Sequence, residues 1–343
     1  MIPKILIVQN VDGNLAAIHH PDFVTEGEID RGRADLVPIK GRDPNPPGVE
    51  FGEDRIAGQN GHGAGHGTVH LVTHPFFAIP TPLVIGHRGF AGECPENTLP
   101  SFERALAAGA AVLETDLHVS RDGVPVLIHD PVIDRVCESR GGVGERTLAE
   151  LQQLDAGHHF TLDDGRSHPF RGQGFRIPTF EEALKAFPGA RFNVEIKADE
   201  PGGVEAAVDV VVRNRRESRT LLTAGDDAIM QRLRRHIERH RVPVAQGASI
   251  ADIVAVLRSV EDGSAPATPS MALQIPLEFG GRPLVTRELI DHAHAHDIQI
   301  HVWTINDADG MDALLTLGVD GIVSDFPELL AERIGRGGAD TVE

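Results

Sequence analysis

The chain has few cysteines and fewer basic than acidic side chains, and both shortages limit what it can be. Its two cysteines, Cys94 and Cys137, form no CxxC pair, which excludes a disulfide framework and favours a reducing compartment. Lysine and arginine number 32 against 51 acidic residues, and the net charge is -19. Because a surface of that sign repels polyanions and the sequence has no large basic patch, we expect no nucleic-acid partner.

The N-terminus lacks a long apolar run. The segment MIPKILIV contains six apolar residues and is soon interrupted by Gln9, Asn10 and Asp12. This is too short for the apolar region of a secretory signal or for a membrane span. We therefore expect a cytoplasmic protein without integral membrane association.

The composition and the apolar pattern of the chain change near residue 80. Residues 1–80 mix short apolar runs with Gly, Pro and Asp, which predicts a β-rich or irregular N-terminal extension of unknown role. Within it, ILIVQN, VDGN and LAAI predict a hairpin with an Asp-Gly turn. Residues 81–335 alternate apolar runs with amphipathic helical stretches, which is typical of repeated βα units around a parallel sheet. Residues 336–343 are expected to be a disordered tail.

Nine apolar runs compete for the strand positions of this region. They are LVIGH, AVLETD, VPVLIH, RFNVEI, TLLTA, VPVAQG, ALQIP, IQIHVWT and GIVSD. Their number and spacing predict a TIM (β/α)8 barrel in which VPVAQG or ALQIP is a short surplus companion. Residues 134–180 are polar and glycine-rich, with one short helix around Leu148 to Leu154. They predict a small insertion after the third strand, lying over the barrel mouth.

Three carboxylates fall at strand ends, where a parallel barrel gathers its functional groups. Glu114 and Asp116 are two residues apart, so both point to the same face, and their mutual repulsion is relieved by a cation. The same period lets Glu195 join them, which predicts a divalent metal with oxygen ligands. The alternative is a salt-bridge network in which Lys197 and Arg88 neutralise the acids.

Two histidines end the first and third apolar runs. A single histidine at a strand end is more often structural, but His87 and His129 converge on the same carboxylates. Imidazoles titrate near neutral pH, so this pair is suited to act as general base and general acid on opposite sides of a reacting phosphorus. Arg88 and Lys197 would add positive charge as the transition state forms.

The residues also resemble a known family. GHRGFAGECPENTLPSFERALAAGAAVLETDLHVSRDGVPVLIHD is similar to the opening signature of the glycerophosphodiester phosphodiesterases, and NVEIK, HVWTIN and GVDGIVSDFP resemble its later blocks. The resemblance covers about residues 83–330, and RGQGFRIPTFEEAL looks most like the bacterial cytoplasmic branch. It implies a TIM barrel that hydrolyses a small-molecule glycerophosphodiester to glycerol 3-phosphate and an alcohol. The sequence is compatible with a homo-oligomer.

The resemblance also implies catalytic and metal-binding roles. Carried over to this sequence, His87 and His129 would be the acid/base pair. Glu114, Asp116 and Glu195 would hold one divalent ion, Ca²⁺ or Mg²⁺, and the sequence does not choose between the two because both accept carboxylates and water.

Further residues match positions around the substrate. Arg88 and Lys197 match phosphate contacts. Glu96 and Asn97 match a loop that we expect to brace the site through hydrogen bonds. Trp303 would form a wall of the pocket for glycerol or the leaving group, although the chain's only tryptophan could instead fill the core.

Two other functions use the same scaffold. A lysophospholipase D-type hydrolase of lipid phosphodiesters would need a long apolar groove, for which residues 134–180 look too polar. A phosphate-ligand binding protein on a degenerate barrel would have lost a histidine or a metal carboxylate, and the sequence retains all of them.

Overall fold

The computed structural model describes residues 74–197, 200 and 202–339, together with two strands near the N-terminus. The chain divides into two compact units, Met1–Leu71 and Val72–Glu343. In the first unit, β1 (Ile5–Gln9) and β2 (Leu15–His19) pair antiparallel with Gln9 opposite Leu15. This confirms the two strands of the predicted hairpin, while the Asp-Gly turn between them lies outside the described residues.

The second unit contains the remaining strands. In chain order they are β3 (Leu83–Gly86), β4 (Val112–Val119), β5 (Pro125–Leu127), β6 (Arg191–Ile196), β7 (Thr220–Thr223), β8 (Ala245–Gln246), β9 (Ala272–Pro276), β10 (Glu278–Phe279), β11 (Arg282–Pro283), β12 (Gln299–Trp303) and β13 (Gly321–Ser324). Eight of them are parallel neighbours in the order β8-β7-β6-β4-β3-β13-β12-β9. The Met271 amide donates to the Gln246 carbonyl at 2.9 Å and links the two ends of this order. The predicted (β/α)8 barrel is confirmed.

Helices connect the strands and cover the barrel. They are α1 (Leu99–Ala107), α2 (Leu148–Leu151), α3 (Phe180–Ala186), α4 (Gly203–Arg213), α5 (Asp227–His240), α6 (Ile250–Asp262), α7 (Arg287–Ala295), α8 (Ala308–Leu317) and α9 (Pro327–Ala339). The last of them extends into the segment predicted as a tail, and residues 340–343 lie outside the described part. Among the described helices, none combines the length and the apolar character that crossing a bilayer requires.

The surplus apolar run is VPVLIH, and the expectation that it was VPVAQG or ALQIP is wrong. The VPVLIH run forms β5, which pairs antiparallel with β4 and lies off the barrel order, whereas VPVAQG and ALQIP supply β8 and β9. The reason is the tight turn before β5, in which the Ser120 amide donates to the Val124 carbonyl at 3.0 Å and Gly123 adopts a φ of 81°. A parallel connection needs a long crossover, so this turn can only return an antiparallel strand.

The insertion follows β5 and is folded around apolar side chains of its own. The predicted short helix is α2, whose cap residue Thr147 is bonded reciprocally with Glu150. The buried apolar side chains of this cluster are Val126, Ile128, Ile133, Cys137, Val143, Leu151, Ala156 and Ile177. Because Val126 and Ile128 belong to β5 and the residue after it, the insertion is packed onto the β4–β5 hairpin.

The barrel interior is apolar at one end. Alternate side chains of the strands pack there with Phe76 and Phe77, which precede β3 in the chain. The Nε of Arg191, at the start of β6, donates to the Phe76 carbonyl at 2.9 Å. This bond holds Phe76 and Phe77 at the amino ends of the strands. The polar side chains of the cavity described below lie at the carboxyl ends, whereas His301 of β12 lies next to this apolar cluster, with its ring centroid 6.5 Å from that of Phe77.

Candidate active site

A cavity of about 180 Å³ opens at the carboxyl ends of the barrel strands. Eight of the predicted site residues line it. They are His87, Arg88, Glu114, Asp116, His129, Glu195, Lys197 and Trp303. The structure thus brings together residues from five separate segments of the sequence.

The period of the strands places the carboxylates. Glu114 and Asp116 are inward residues of β4, and Glu195 is an inward residue of β6. The parallel register sets Asp116 opposite Glu195 and Glu114 opposite Asn193. The shared face predicted for these side chains is therefore present.

Two cations lie among the three carboxylates. Lys197 Nζ is 3.4 Å from Asp116 Oδ1 and 3.1 Å from Glu195 Oε2. Arg88 Nε is 3.2 Å from Asp116 Oδ2, and the Arg88 amide donates to Glu114 Oε2 at 3.0 Å. The salt-bridge network considered as an alternative is thus formed. Among the described residues, no three His, Cys, Asp or Glu side chains are already gathered as a set of metal ligands.

The carboxylates of β4 differ in their tendency to ionise. Burial and the charge of Asp116 raise the pKa of Glu114 to about 7. Burial also opposes ionisation of Asp116, but Lys197 and Arg88 outweigh it and the pKa of Asp116 is lowered. The positive charges of Lys197 and Arg88 therefore stabilise the ionised form of Asp116 more than that of Glu114.

His87 is held by the carboxylate of Asp325, the residue that follows the last barrel strand. Its Nδ1 is 2.6 Å from Asp325 Oδ1, and Asn306 Nδ2 donates to Asp325 Oδ2 at 2.6 Å. Burial lowers the pKa of His87, but the hydrogen bond to Asp325 and the charge of Glu114 outweigh it, and the pKa is raised. With Nδ1 engaged, Nε2 is the nitrogen that can exchange a proton with a ligand.

His129 is held in a similar way but reaches the cavity from β5. Its Nδ1 is 2.7 Å from Asp130 Oδ1. Its carbonyl accepts from His118 Nε2 at 3.0 Å, so the buried imidazole of His118 fixes the backbone here. The Asp130 carboxylate in turn accepts from Arg135 Nε at 2.6 Å.

The loop that carries Glu96 and Asn97 lies behind the cavity wall and was expected to brace the site. Asn97 Nδ2 donates to Asp116 Oδ2 at 3.2 Å, and Asn97 Oδ1 accepts from Thr115 Oγ1 at 2.5 Å. Glu96 Oε1 accepts from Arg88 Nη1 at 2.9 Å. Both loop residues therefore contact side chains that line the cavity.

Trp303 ends β12 at the cavity rim. Its side chain is 42% exposed and lines the cavity, so it does not fill the core.

Several polar residues of the site were not predicted from the sequence. Asp130 and Asp325 hold the two imidazoles, and each could have been noticed because it follows an apolar run. Asn193, Thr223 and Gln274 also line the cavity. Gln274 was concealed because ALQIP was considered a possible surplus run, and no role was predicted for Asn193.

Two of these amide side chains have polar atoms without partners. Asn193 Oδ1 and the two polar atoms of the Gln274 amide are buried and have no hydrogen-bond partner among the described residues. Buried polar groups are nearly always paired, so the cavity offers unused hydrogen-bonding capacity to a ligand.

Comparison with known proteins identifies the family of this chain. The model of the glycerophosphoryl diester phosphodiesterase family matches residues 87–329. A probable glycerophosphodiester phosphodiesterase 2 of Mycobacterium tuberculosis is 30% identical over 256 residues, which cover 73% of this chain and 89% of the relative. A glycerophosphodiester phosphodiesterase of Caldanaerobacter subterraneus is 28% identical, covering 75% of this chain and 99% of the relative.

A solved structure agrees. The phosphodiesterase of Oleispira antarctica, determined in complex with sn-glycerol-3-phosphate, superposes with a TM-score of 0.61 at 27% identity. The match covers 74% of this chain and 97% of that one. The chain belongs to the glycerophosphoryl diester phosphodiesterase family.

Proposed function

We propose that the chain hydrolyses glycerophosphodiesters to glycerol 3-phosphate and an alcohol, with His87 and His129 as the acid/base pair. One observation carries this proposal. Two imidazoles, each held at Nδ1 by a carboxylate, line the same cavity as Arg88 and Lys197.

The two imidazoles suit the proton transfers that hydrolysis requires. The attacking oxygen must lose a proton, and the leaving alcohol oxygen must gain one. A carboxylate at Nδ1 fixes the ring orientation and tautomer, so that Nε2 is presented for these transfers. Each positioned acid or base contributes about 10²- to 10⁴-fold in rate.

Arg88 and Lys197 suit the phosphate. Their cationic groups lie at the cavity and are backed by acids, which fixes their positions and maintains their charge. Burial opposes the charged form of Lys197, but Glu195 and Asp116 outweigh it and its pKa is raised. Fixed charges of this kind stabilise the negative charge that develops on the phosphoryl oxygens.

A divalent metal fits the donor atoms of the same cavity. Glu114, Asp116 and Glu195 would hold it, and the unpartnered oxygens of Asn193 and Gln274 add neutral oxygen donors. An all-oxygen set suits Ca²⁺ or Mg²⁺. When bound, the ion supplies positive charge to the phosphate oxygens. Lys197 and Arg88 compensate these acids here, so the fit rests on the donor set rather than on an open carboxylate cage.

Replacing either histidine tests the acid/base roles. We expect His87→Ala and His129→Ala each to lower the release of glycerol 3-phosphate from glycerophosphocholine by about 10²-fold or more, because each variant loses one proton transfer. Circular dichroism and thermal melting check that the fold is intact. His240→Ala, at the exposed end of α5, is the matched control and keeps full activity. Near-wild-type turnover in either cavity variant would refute the mechanism.

Metal removal tests the cofactor. We expect exhaustive chelation to silence the enzyme and added Ca²⁺ or Mg²⁺ to restore it. Glu114→Gln removes a negative oxygen donor and weakens metal affinity in calorimetric titration, whereas Glu205→Gln, at an exposed position of α4, does not. Activity that survives chelation, or equal affinity in Glu114→Gln and wild type, would remove the metal from the scheme.

A lysophospholipase D-type activity remains the second candidate. Trp303 lies beside Pro276 in the register of β12 and β9, and Leu277 follows with 44% exposure. This exposed apolar rim next to the cavity offers a surface for an acyl chain.

We also propose a cytoplasmic location. Cys94 and Cys137 are both unpaired and buried, as expected for a protein kept in a reducing compartment.

A further inference from the structure

Arg135, in the insertion, is bonded to two carboxylates from different segments. Its Nε donates to Asp130 Oδ2 at 2.6 Å. Its Nη1 and Nη2 donate to Glu96 Oε2 and Oε1 at 2.6 and 2.7 Å. The planar guanidinium thus engages Glu96 with two parallel bonds while its third nitrogen holds Asp130.

Each of these carboxylates also holds a residue of the active site. Asp130 uses its other oxygen for His129 Nδ1, and Glu96 Oε1 accepts from Arg88 Nη1. Arg135 is therefore the centre of a continuous hydrogen-bond network. This network connects the imidazole of His129 to the guanidinium of Arg88.

The carboxylates depend on Arg135 for their charge and their orientation. The hydrogen bond from His129 lowers the pKa of Asp130, and Arg135 lowers it further against the effect of burial. Burial opposes ionisation of Glu96, but Arg135 and Arg88 outweigh it and the pKa of Glu96 is lowered. Without the guanidinium, two anions would remain close together with no charge between them, and each carboxylate could turn about its terminal torsion.

We infer that Arg135 is a positioning residue through which the insertion sets the orientation of His129 and Arg88 together. This inference rests on the proposed function, in which these two residues transfer a proton and bind phosphate. A lysine cannot substitute, because an ammonium lacks the fork that spans Glu96 and Asp130 at once.

Steady-state kinetics with glycerophosphocholine test the inference. We expect Arg135→Gln to lower kcat, because His129 loses its orientation, and to raise KM, because Arg88 does. The combined loss in kcat/KM is at least about tenfold, as expected for small misplacements of reacting groups. Arg135→Lys stays nearer to Arg135→Gln than to wild type.

Arg121 provides the matched control. It also ties the insertion to the barrel, donating to the Glu145 carbonyl at 2.8 Å and to Glu150 Oε2 at 3.1 Å, and its side chain is similarly exposed. Within the described part of the chain, it makes no hydrogen bond or ion pair with Asp130 or Glu96, the carboxylates that hold His129 and Arg88. Arg121→Gln therefore keeps kcat and KM within about twofold of wild type. An equal loss in both variants would assign Arg135 a purely structural role and overturn the inference.

Chemical rescue separates positioning from folding. In Arg135→Ala, millimolar guanidinium restores part of kcat/KM, whereas methylammonium at the same concentration does not, because only the former has the planar fork. The melting temperature of the variant does not follow this recovery. Rescue by both cations, or by neither, would contradict the inference.

A measurement that does not depend on turnover distinguishes a failure of this inference from a failure of the proposed function. The downfield proton resonance of the hydrogen bond between His129 and Asp130 is assigned by its loss in His129→Ala. We expect this resonance to shift or broaden in Arg135→Gln and to stay unchanged in Arg121→Gln. If the wild type released no glycerol 3-phosphate, the proposed function would fail while the resonance still decided the role of Arg135. An unchanged resonance in Arg135→Gln would sink the inference.

Discussion

His301 is a titratable residue inside the barrel that the proposed chemistry does not use. Its side chain, on β12, is almost fully buried. Its Nε2 is 3.0 Å from Gln299 Oε1, and its Nδ1 has no hydrogen-bond partner in the part of the chain that the structure describes. Burial lowers its pKa to about 4, and the charge of Asp320 offsets only part of this. The folded protein therefore keeps this imidazole neutral where an unfolded chain would protonate it.

This difference predicts a loss of stability in mild acid. A histidine whose pKa is lowered by folding contributes its full stability above the unfolded value of about 6.5 and loses it as the pH falls towards 4. Between pH 7 and pH 5 we expect a loss of about 2 kcal/mol in the free energy of unfolding from this residue. Urea unfolding at both pH values checks it, with His301→Gln as the variant that lacks this component. Equal pH dependence in the two proteins would contradict the assignment.

At the same scale, the sequence predicts which side chains share the cavity but not how they pair. The two-residue period of strands places Glu114 with Asp116 and lets Glu195 join them. The bond between His87 and Asp325 joins residues 238 positions apart, and no local pattern specifies it. The bonds from Arg135 to Glu96 depend on how the insertion folds, which the sequence pattern leaves open.

At the scale of elements, apolar runs predict strands but not their directions. VPVLIH has the composition of a buried strand, yet the short turn at Gly123 makes β5 an antiparallel partner of β4. The position of VPVAQG in the sheet is not specified by its sequence. It forms only the two-residue strand β8, and packing around the whole barrel decides its place. The hairpin has a functional consequence, since β5 delivers His129 to the cavity and begins the insertion that carries Arg135.

At the scale of the whole molecule, charge and polarity are distributed unevenly. Apolar side chains around Phe76 and Phe77, with the buried imidazole of His301 beside them, fill the barrel towards the amino ends of its strands, while the carboxyl ends carry the ionisable groups of the cavity. A chain with a net charge of -19 would repel an anionic phosphodiester at long range. Binding therefore depends on the local cations Arg88 and Lys197 and, under the proposal, on the metal.

Product analysis of the wild-type enzyme tests the central claim most directly. With metal present, the purified protein is incubated with glycerophosphocholine and, in parallel, with lysophosphatidylcholine, and all products are quantified. We expect glycerol 3-phosphate and choline in equal amounts, and faster turnover of glycerophosphocholine than of lysophosphatidylcholine. Release of phosphocholine and glycerol, or no cleavage of glycerophosphocholine, would contradict it, and a strong preference for the acylated substrate would favour the lysophospholipase D-type activity instead.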